Sequence, residues 1–229
     1  MVDMFPQTHD MAVDVFPQTK GCQSAIKTYF LSSRSIQNVV CYWKMEVIIV
    51  NKKTKEQANK VKALTTRFEF RSIHPEEADQ AVAIEQICFP PNEACSKKSM
   101  KERIARAPEL FLVAVDRESG KLAGFLNGLA TNEQRFRDEF FTDAALYEPE
   151  GSHVMLLGLD VLPEYRGQGL ARELVYQYVS RERVKGRRFL VLTCLESKVK
   201  MYEKMGFYDH GIANSTWGGE EWHEMSLQI

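Results

Sequence analysis

The stretch Leu157–Arg172, reading LGLDVLPEYRGQGLAR, holds the residues with the clearest chemical consequence. An apolar strand ends at Val161, Pro163 and Glu164 turn the chain, and Arg166-Gly167-Gln168-Gly169-Leu170-Ala171 opens a helix. Glycine accepts φ > 0 and needs no Cβ clearance, so successive backbone N–H groups can converge there. At a helix N-terminus those groups are unpaired and carry partial positive charge, which suits a pyrophosphate. Two glycines in that position also suit a plain turn. The third Gly of G-x-G-x-x-G is Arg172 here, and no G-x-x-x-x-G-K-[ST] occurs, which argues against a dinucleotide-binding dehydrogenase or a P-loop NTPase.

The elements around this loop follow from periodicity. Arg67–Ile73 alternates Phe68, Phe70 and Ser72 with charged neighbours, which predicts a strand. His74-Pro75-Glu76-Glu77 opens a helix striped by Ala78, Ala81, Val82, Ile84 and Ile87–Cys88, and Phe89-Pro90-Pro91-Asn92 ends it. Ser99–Ala107 reads as a second helix, Leu110–Val115 and Lys121–Ala130 as neighbouring strands, and the polar stretch Asn132–Leu146 as helical. His153–Val161 is a strand, Leu170–Val184 a helix, Phe189–Cys194 a buried strand, and Ser197–Met205 a helix closed by Gly206. Tyr208–Trp217 and Glu221–Leu227 read as hairpin strands about Gly218-Gly219. The order βααββ-insert-βαβαββ predicts an α/β (α+β) domain, a mixed sheet with helices on its faces.

Composition narrows the class. The 229 residues carry 30 Lys+Arg against 31 Asp+Glu, net −1, so no basic field exists to bind nucleic acid. Apolar runs such as Val47–Val50 fall far short of the roughly 18 residues of a membrane span, and no signal-peptide pattern opens the chain. Five cysteines without a C-x-x-C pair, and five histidines without H-E-x-x-H, predict neither a disulfide framework nor a metal site. A cytoplasmic location is expected. Residues 1–65 differ from the rest: Val2-Asp-Met-Phe-Pro-Gln-Thr8 recurs as Val13-Asp-Val-Phe-Pro-Gln-Thr19, followed by a basic patch. They are read as a poorly ordered N-terminal extension, with Met45 as a candidate working start and a docking tail as the alternative. Residues 66–229 form the regularly patterned α/β domain in this reading.

Arg166-x-x-Gly169-x-Ala171 resembles the [QR]-x-x-G-x-[GA] acyl-CoA loop of the GNAT N-acetyltransferases. Met201-Tyr202-Glu203-Lys204-Met205-Gly206-Phe207 resembles their second signature, a Tyr on a short helix followed by Gly-Phe. The segment Cys88–Ser96 and the insert Glu133–Gly151 are similar to the arylalkylamine (serotonin-type) branch. The resemblance runs from about Phe68 to Leu227. It implies a sheet splayed open between its central strands, acetyl-CoA as co-substrate without a metal, and direct attack of an amine in a ternary complex. By position, the backbones of Leu159, Asp160 and Val161 would pair with the pantetheine arm, one N–H facing the thioester oxygen. Arg166, Gly167, Gln168, Gly169, Leu170 and Ala171 would hold the pyrophosphate. Tyr202 would protonate the leaving thiolate, since a phenol pKa near 10 keeps its proton at neutral pH; the alternative for it is a core tyrosine.

The base departs from that pattern. Serotonin-type enzymes carry two histidines on the strand before the loop, and the matching positions are Met155 and Leu157. Plain alternation puts His153 on their face, and its pKa near 6.5 suits a base acting through water; a surface histidine is the alternative. Asp160 falls on the opposite face in a structural role, and Glu196 is a second candidate. Phe89, Pro91 and Leu157 are expected to wall the substrate. Thr131–Glu150 holds six acids against Arg135 and Arg137, either drawing in a cationic amine or forming a solvated face. The expected activity is acetyl transfer from acetyl-CoA to a small primary amine, an arylalkylamine or polyamine, by a monomer or homodimer. The alternatives are a non-catalytic acyl-CoA sensor and a protein or peptide N-acetyltransferase.

Overall fold

Strands β1 (Phe68–Ser72), β2 (Phe111–Asp116), β3 (Leu122–Thr131), β4 (His153–Val161), β5 (Phe189–Cys194), β6 (Tyr208–Ile212) and β7 (His223–Gln228) form one sheet ordered β1-β2-β3-β4-β5-β7-β6. The computed structural model describes residues 55, 56 and 58–229. The repeat, Met45 and most of the expected extension lie outside the described residues. Helix α1 covers 58–67, so the expected boundary at residue 65 falls inside a helix. It is followed by α2 (Ala78–Cys88), α3 (Lys97–Arg106), α4 (Leu170–Val184) and α5 (Glu196–Glu203). Helix α1 was not expected; from β1 onward the element order is the expected one, and the sheet is mixed because β4 and β5 alone run parallel. Among the described residues no helix is long and apolar enough to cross a membrane.

Apolar stripes fix the layers. Leu170, Leu174 and Tyr178 of α4 and Val199 of α5 pack on Leu126, Val154, Leu156 and Leu190 on one face of the sheet. On the other face, Ala81, Val82 and Ile84 of α2 and Met100 and Ile104 of α3 meet Phe111, Val113 and Phe125. Each fully buried large side chain contributes roughly 1.5–3 kcal/mol. The α2 start is clamped from β1: Arg71 donates to both Glu77 oxygens at 2.8 and 2.6 Å, and Glu77 also accepts the His74 N–H at 2.8 Å.

Two expectations are corrected. Residues 132–146 are not a helix but contain two single turns, Asp138–Phe141 and Ala144–Leu146. Asp143 accepts the Ala145 N–H at 2.8 Å, and Asn132 donates to Glu148 at 2.9 Å. Such local bonds compete with a helix, while Phe136 and Phe140 spread over Leu129, Met155 and Val191. Gly218-Gly219 does not form the expected tight hairpin. Residues 213–222 connect β6 to β7 as a loop, held away because Trp217 stacks on Phe141 at 4.8 Å and donates Nε1–H to the Glu93 carbonyl at 2.9 Å.

A bulge in β4 decides what faces where. Asn127 pairs with Gly158 but Gly128 with Leu156, leaving Leu157 as an extra residue. One extra residue inverts the alternation beyond it. Val154 and Leu156 before the bulge, and Leu159 and Val161 after it, therefore all lie on the α4 face. Asp160 points to the α2 face with Met155 and Leu157, not opposite them. The β4–β5 ladder runs only through His153–Phe189, Val154–Leu190 and Met155–Val191. Beyond that the strands part, giving the central splay.

Candidate active site

A cleft of about 700 Å³ occupies the gap between β4 and β5. One wall is backbone. Gly167 and Gly169 have φ of 74° and 93°, in the left-handed region that side chains avoid. A Cβ on Gly167 would meet nothing within 4 Å, so conformation rather than space demands glycine. Gly169 is the N-cap of α4, and the N–H groups of the first turn have no carbonyl ahead of them. Arg166, Gly167, Gly169, Leu170 and Ala171 line the cleft. The Gln168 side chain turns away to accept from Arg67 at 2.9 Å, leaving only its backbone to the loop. Arg166 ties the loop to the strand end by donating Nε–H to the Val161 carbonyl at 2.8 Å. This donor set fits the pyrophosphate of acetyl-CoA.

Tyr202 lines the opposite wall with Thr193, Cys194 and Lys198. Its ring packs edge-on against Phe207 at 5.5 Å, and Gly206, at φ 99°, lets the Phe207 N–H return to the Tyr202 carbonyl at 3.1 Å. Burial, with the Cys194 and Asp160 side chains nearby, pushes the phenol pKa well up, so the proton is held. Leu157, Leu159 and Val161 line the cleft; the Asp160 side chain does not, so only its backbone is offered from this strand edge.

The other expected residues divide. Phe89 reaches the cleft, but Pro91 is outside its lining and Pro90, equally exposed, stands there instead, its carbonyl accepting the Glu93 and Ala94 N–H groups. His153 stands at the far end of β4, about 13 Å along the strand from Leu157. It stacks on Phe189 at 5.0 Å, meets Ser152 Oγ at 3.0 Å, and is absent from the lining. Burial and Arg188 lower its pKa. Glu196 is exposed and also outside the lining. The acids of 131–150 are largely engaged locally: Arg137 pairs with Glu133 and Glu139, and Asp138 accepts from Ser215 and the Thr216 N–H.

Residues outside that expectation complete the floor and rim. Glu85, Arg103, Cys88 and Cys95 line the floor, and Glu93, Phe141, Trp217 and Trp222 the rim. Glu85 Oε1 accepts the Cys95 N–H at 2.9 Å, while Oε2 has no partner; both Asp160 oxygens are likewise unpartnered, although Glu85 is 3% and Asp160 0% exposed. Burial raises the pKa of Asp160 well above the carboxylate range, Glu85 beside it adds to the rise, and burial raises Glu85 too. A signal existed: Glu85 continues the stripe Ala78-Ala81-Val82, a carboxylate on the buried face of α2.

Residues 78–207 match the acetyltransferase (GNAT) family, over half the chain. The serotonin N-acetyltransferase of Mesocricetus auratus is 29% identical over 168 residues, covering 70% of this chain and 77% of its own length. Two solved structures share the fold. The loading GNATL domain of CurA from Lyngbya majuscula has a TM-score of 0.62 at 14% identity, over 70% of this chain and 97% of its own. A phosphinothricin acetyltransferase (Pat) from Sinorhizobium meliloti, in complex with AcCoA, has a TM-score of 0.53 at 16% identity, over 71% of this chain and 89% of its own. With the split sheet and the matched span in agreement, the chain belongs to the acetyltransferase (GNAT) family and is an acyltransferase.

Proposed function

We propose that this acyltransferase moves acetyl from acetyl-CoA to the nitrogen of a small primary amine, an arylalkylamine before a polyamine. One observation carries the reading: a single cleft joins the unpaired N–H groups of the α4 start to the protonated Tyr202 across the gap between β4 and β5. Acetyl-CoA supplies an activated acyl thioester. The loop Arg166–Ala171 binds the pyrophosphate, and the open edge of Leu159–Val161 aligns the pantetheine arm with an N–H toward the thioester oxygen. Tyr202 donates its proton as charge develops on the leaving sulfur. Phe89, Phe141, Trp217 and Trp222 give the amine an aromatic enclosure, which favours an aryl or alkyl group over a polycation. The matched serotonin N-acetyltransferase supports the same substrate class.

Free-thiol release from acetyl-CoA with tryptamine, phenylethylamine, spermidine and a mixed peptide pool tests the reading. Release with the arylalkylamines is expected, and Tyr202→Phe should lower kcat by about 10²-fold while calorimetric CoA affinity holds. CoA binding without thiol release from any amine would make the protein a sensor. Release with peptides alone would make it a protein N-acetyltransferase.

A further inference from the structure

Arg103, Arg166, Arg172 and Lys198 are the cations of the cleft lining, and two of them are engaged. Arg103 donates to Asn127 Oδ1 at 3.4 Å and to the Phe141 carbonyl at 2.6 Å. Arg166 donates to the Val161 carbonyl at 2.8 Å and meets Cys88 Sγ at 3.5 Å. Among the described residues Arg172 and Lys198 have no carboxylate to answer them. The ion pairs of α4 lie at its far end, where Glu182 meets Lys185 at 2.8 Å and Arg187 at 3.6 Å. Glu173, next to Arg172, is 3% exposed and accepts from Gln177 at 2.7 Å, and Glu196 is outside the lining.

The setting of each makes its lone charge harder to explain by folding. Lys198 interrupts the otherwise uncharged stripe that α5 and its N-cap show the cleft, between Leu195 and the pair Met201 and Tyr202. Gly169 and Leu195 are the N-caps of α4 and α5, so Arg172 and Lys198 both sit in first turns. The macrodipole disfavours a cation there and favours an anion. Both residues are exposed, which puts them at the mouth of the cleft and not on its floor. They stand on opposite walls, one on each of the helices that flank the gap between β4 and β5.

We propose that Arg172 and Lys198 form a clamp across the cleft mouth for the phosphate monoester on the ribose of CoA. The inference rests on the reading above that acetyl-CoA fills the cleft. There the loop N–H groups take the diphosphate, and the monoester is the charge of the co-substrate still without a partner. Such a group carries about −1.5 to −2 at neutral pH, enough for two cations. Arg172 offers a planar fork and Lys198 a mobile point charge. The nucleotide end stays at the mouth between them, while the acyl end runs inward to Tyr202, one turn beyond Lys198 on α5. The clamp acts on co-substrate affinity and leaves the chemical step to Tyr202.

The test is calorimetric titration with CoA and with dephospho-CoA, which lacks the monoester. Lys200→Gln is the control, because Lys200 is exposed on the same helix but outside the lining. Lys198→Gln and Arg172→Gln should each weaken CoA about tenfold and dephospho-CoA less than about twofold. Lys200→Gln should move neither by more than about twofold, and Lys198→Arg should bring CoA back to within about threefold of wild type. Equal losses with the two ligands would put the cations on the diphosphate and overturn the assignment. No loss with CoA, or the same loss in Lys200→Gln, would overturn it as well. In turnover the KM for acetyl-CoA should rise about tenfold in either variant, with kcat and the amine KM within about twofold; a fall in kcat alone would overturn the clamp. Binding is read without turnover, so the two readings fail separately. A wild type that binds CoA but releases no thiol with any amine ends the transferase reading and leaves the clamp to the titrations, whereas a wild type that binds no CoA overturns both.

Discussion

The two sides of the cleft are built by opposite means. The loop at the start of α4 offers backbone: two glycines at positive φ bare a row of N–H groups, and the Gln168 side chain is turned away to Arg67. The floor is built with side chains from α2, α3, β3 and β4, brought together by the fold and left partly unpartnered. The first arrangement needs only local geometry and adds little strain. The second spends stability on buried charge. One cleft can thus be walled by two separate structural principles, bare backbone on one side and buried side chains on the other.

The comparison breaks most visibly at Gly169. Gly169→Glu forces a side chain into φ 93° and sets a carboxylate where the phosphate charge belongs. Calorimetry should show CoA affinity falling at least about 10²-fold. The floor should answer in the other currency. Asp160 has a raised pKa, so the folded protein keeps that proton above the unfolded value of about 3.9, and stability falls as pH rises through the window between them. Asp160→Asn removes this loss, and its melting temperature at pH 8 should exceed wild type by roughly 2–4 °C, the gain shrinking toward pH 4.

Glu77 gives the opposite sign and a control for it. Its hydrogen bonds with Arg71 lower its pKa, so its contribution is present above the unfolded value of about 4.3 and is lost as pH falls through the folded one. Glu77→Gln should cost about 1–2 kcal/mol in denaturant melts at pH 7 and nothing measurable once wild type is itself protonated. The smallest effect belongs to Gln168→Ala. If backbone alone holds the anion, CoA affinity should change less than about twofold, within about 0.4 kcal/mol.

The same contrast explains what the sequence revealed. The loop was legible because its chemistry lies in consecutive residues, Arg166 to Ala171, and the Tyr202 helix because Gly206-Phe207 closes it locally. From β1 onward the strands and the other helices followed from periodicity in the expected order, while α1 and the non-helical insert did not. The floor was hidden because one bulge residue inverts β4, so plain alternation sends Asp160 to the wrong face. His153 was drawn into the site by that same alternation, although strand length alone separates it from the cleft. The insert misled because its polar residues bond locally and its phenylalanines serve a patch of sheet that helical spacing does not match.

The brevity of the β4–β5 ladder has a further consequence. Three residue pairs hold the two halves of the sheet together at this seam, and past Met155 each strand presents bare amide edges to its neighbour. Whatever occupies the gap becomes, in effect, a missing strand, and its binding free energy is added to that of the fold. A ligand at a hundred times its dissociation constant contributes about 2.7 kcal/mol in this way. Amide hydrogen exchange on both edges should slow together when it binds, and the lifetime of the enzyme in a cell would then track the supply of its own co-substrate.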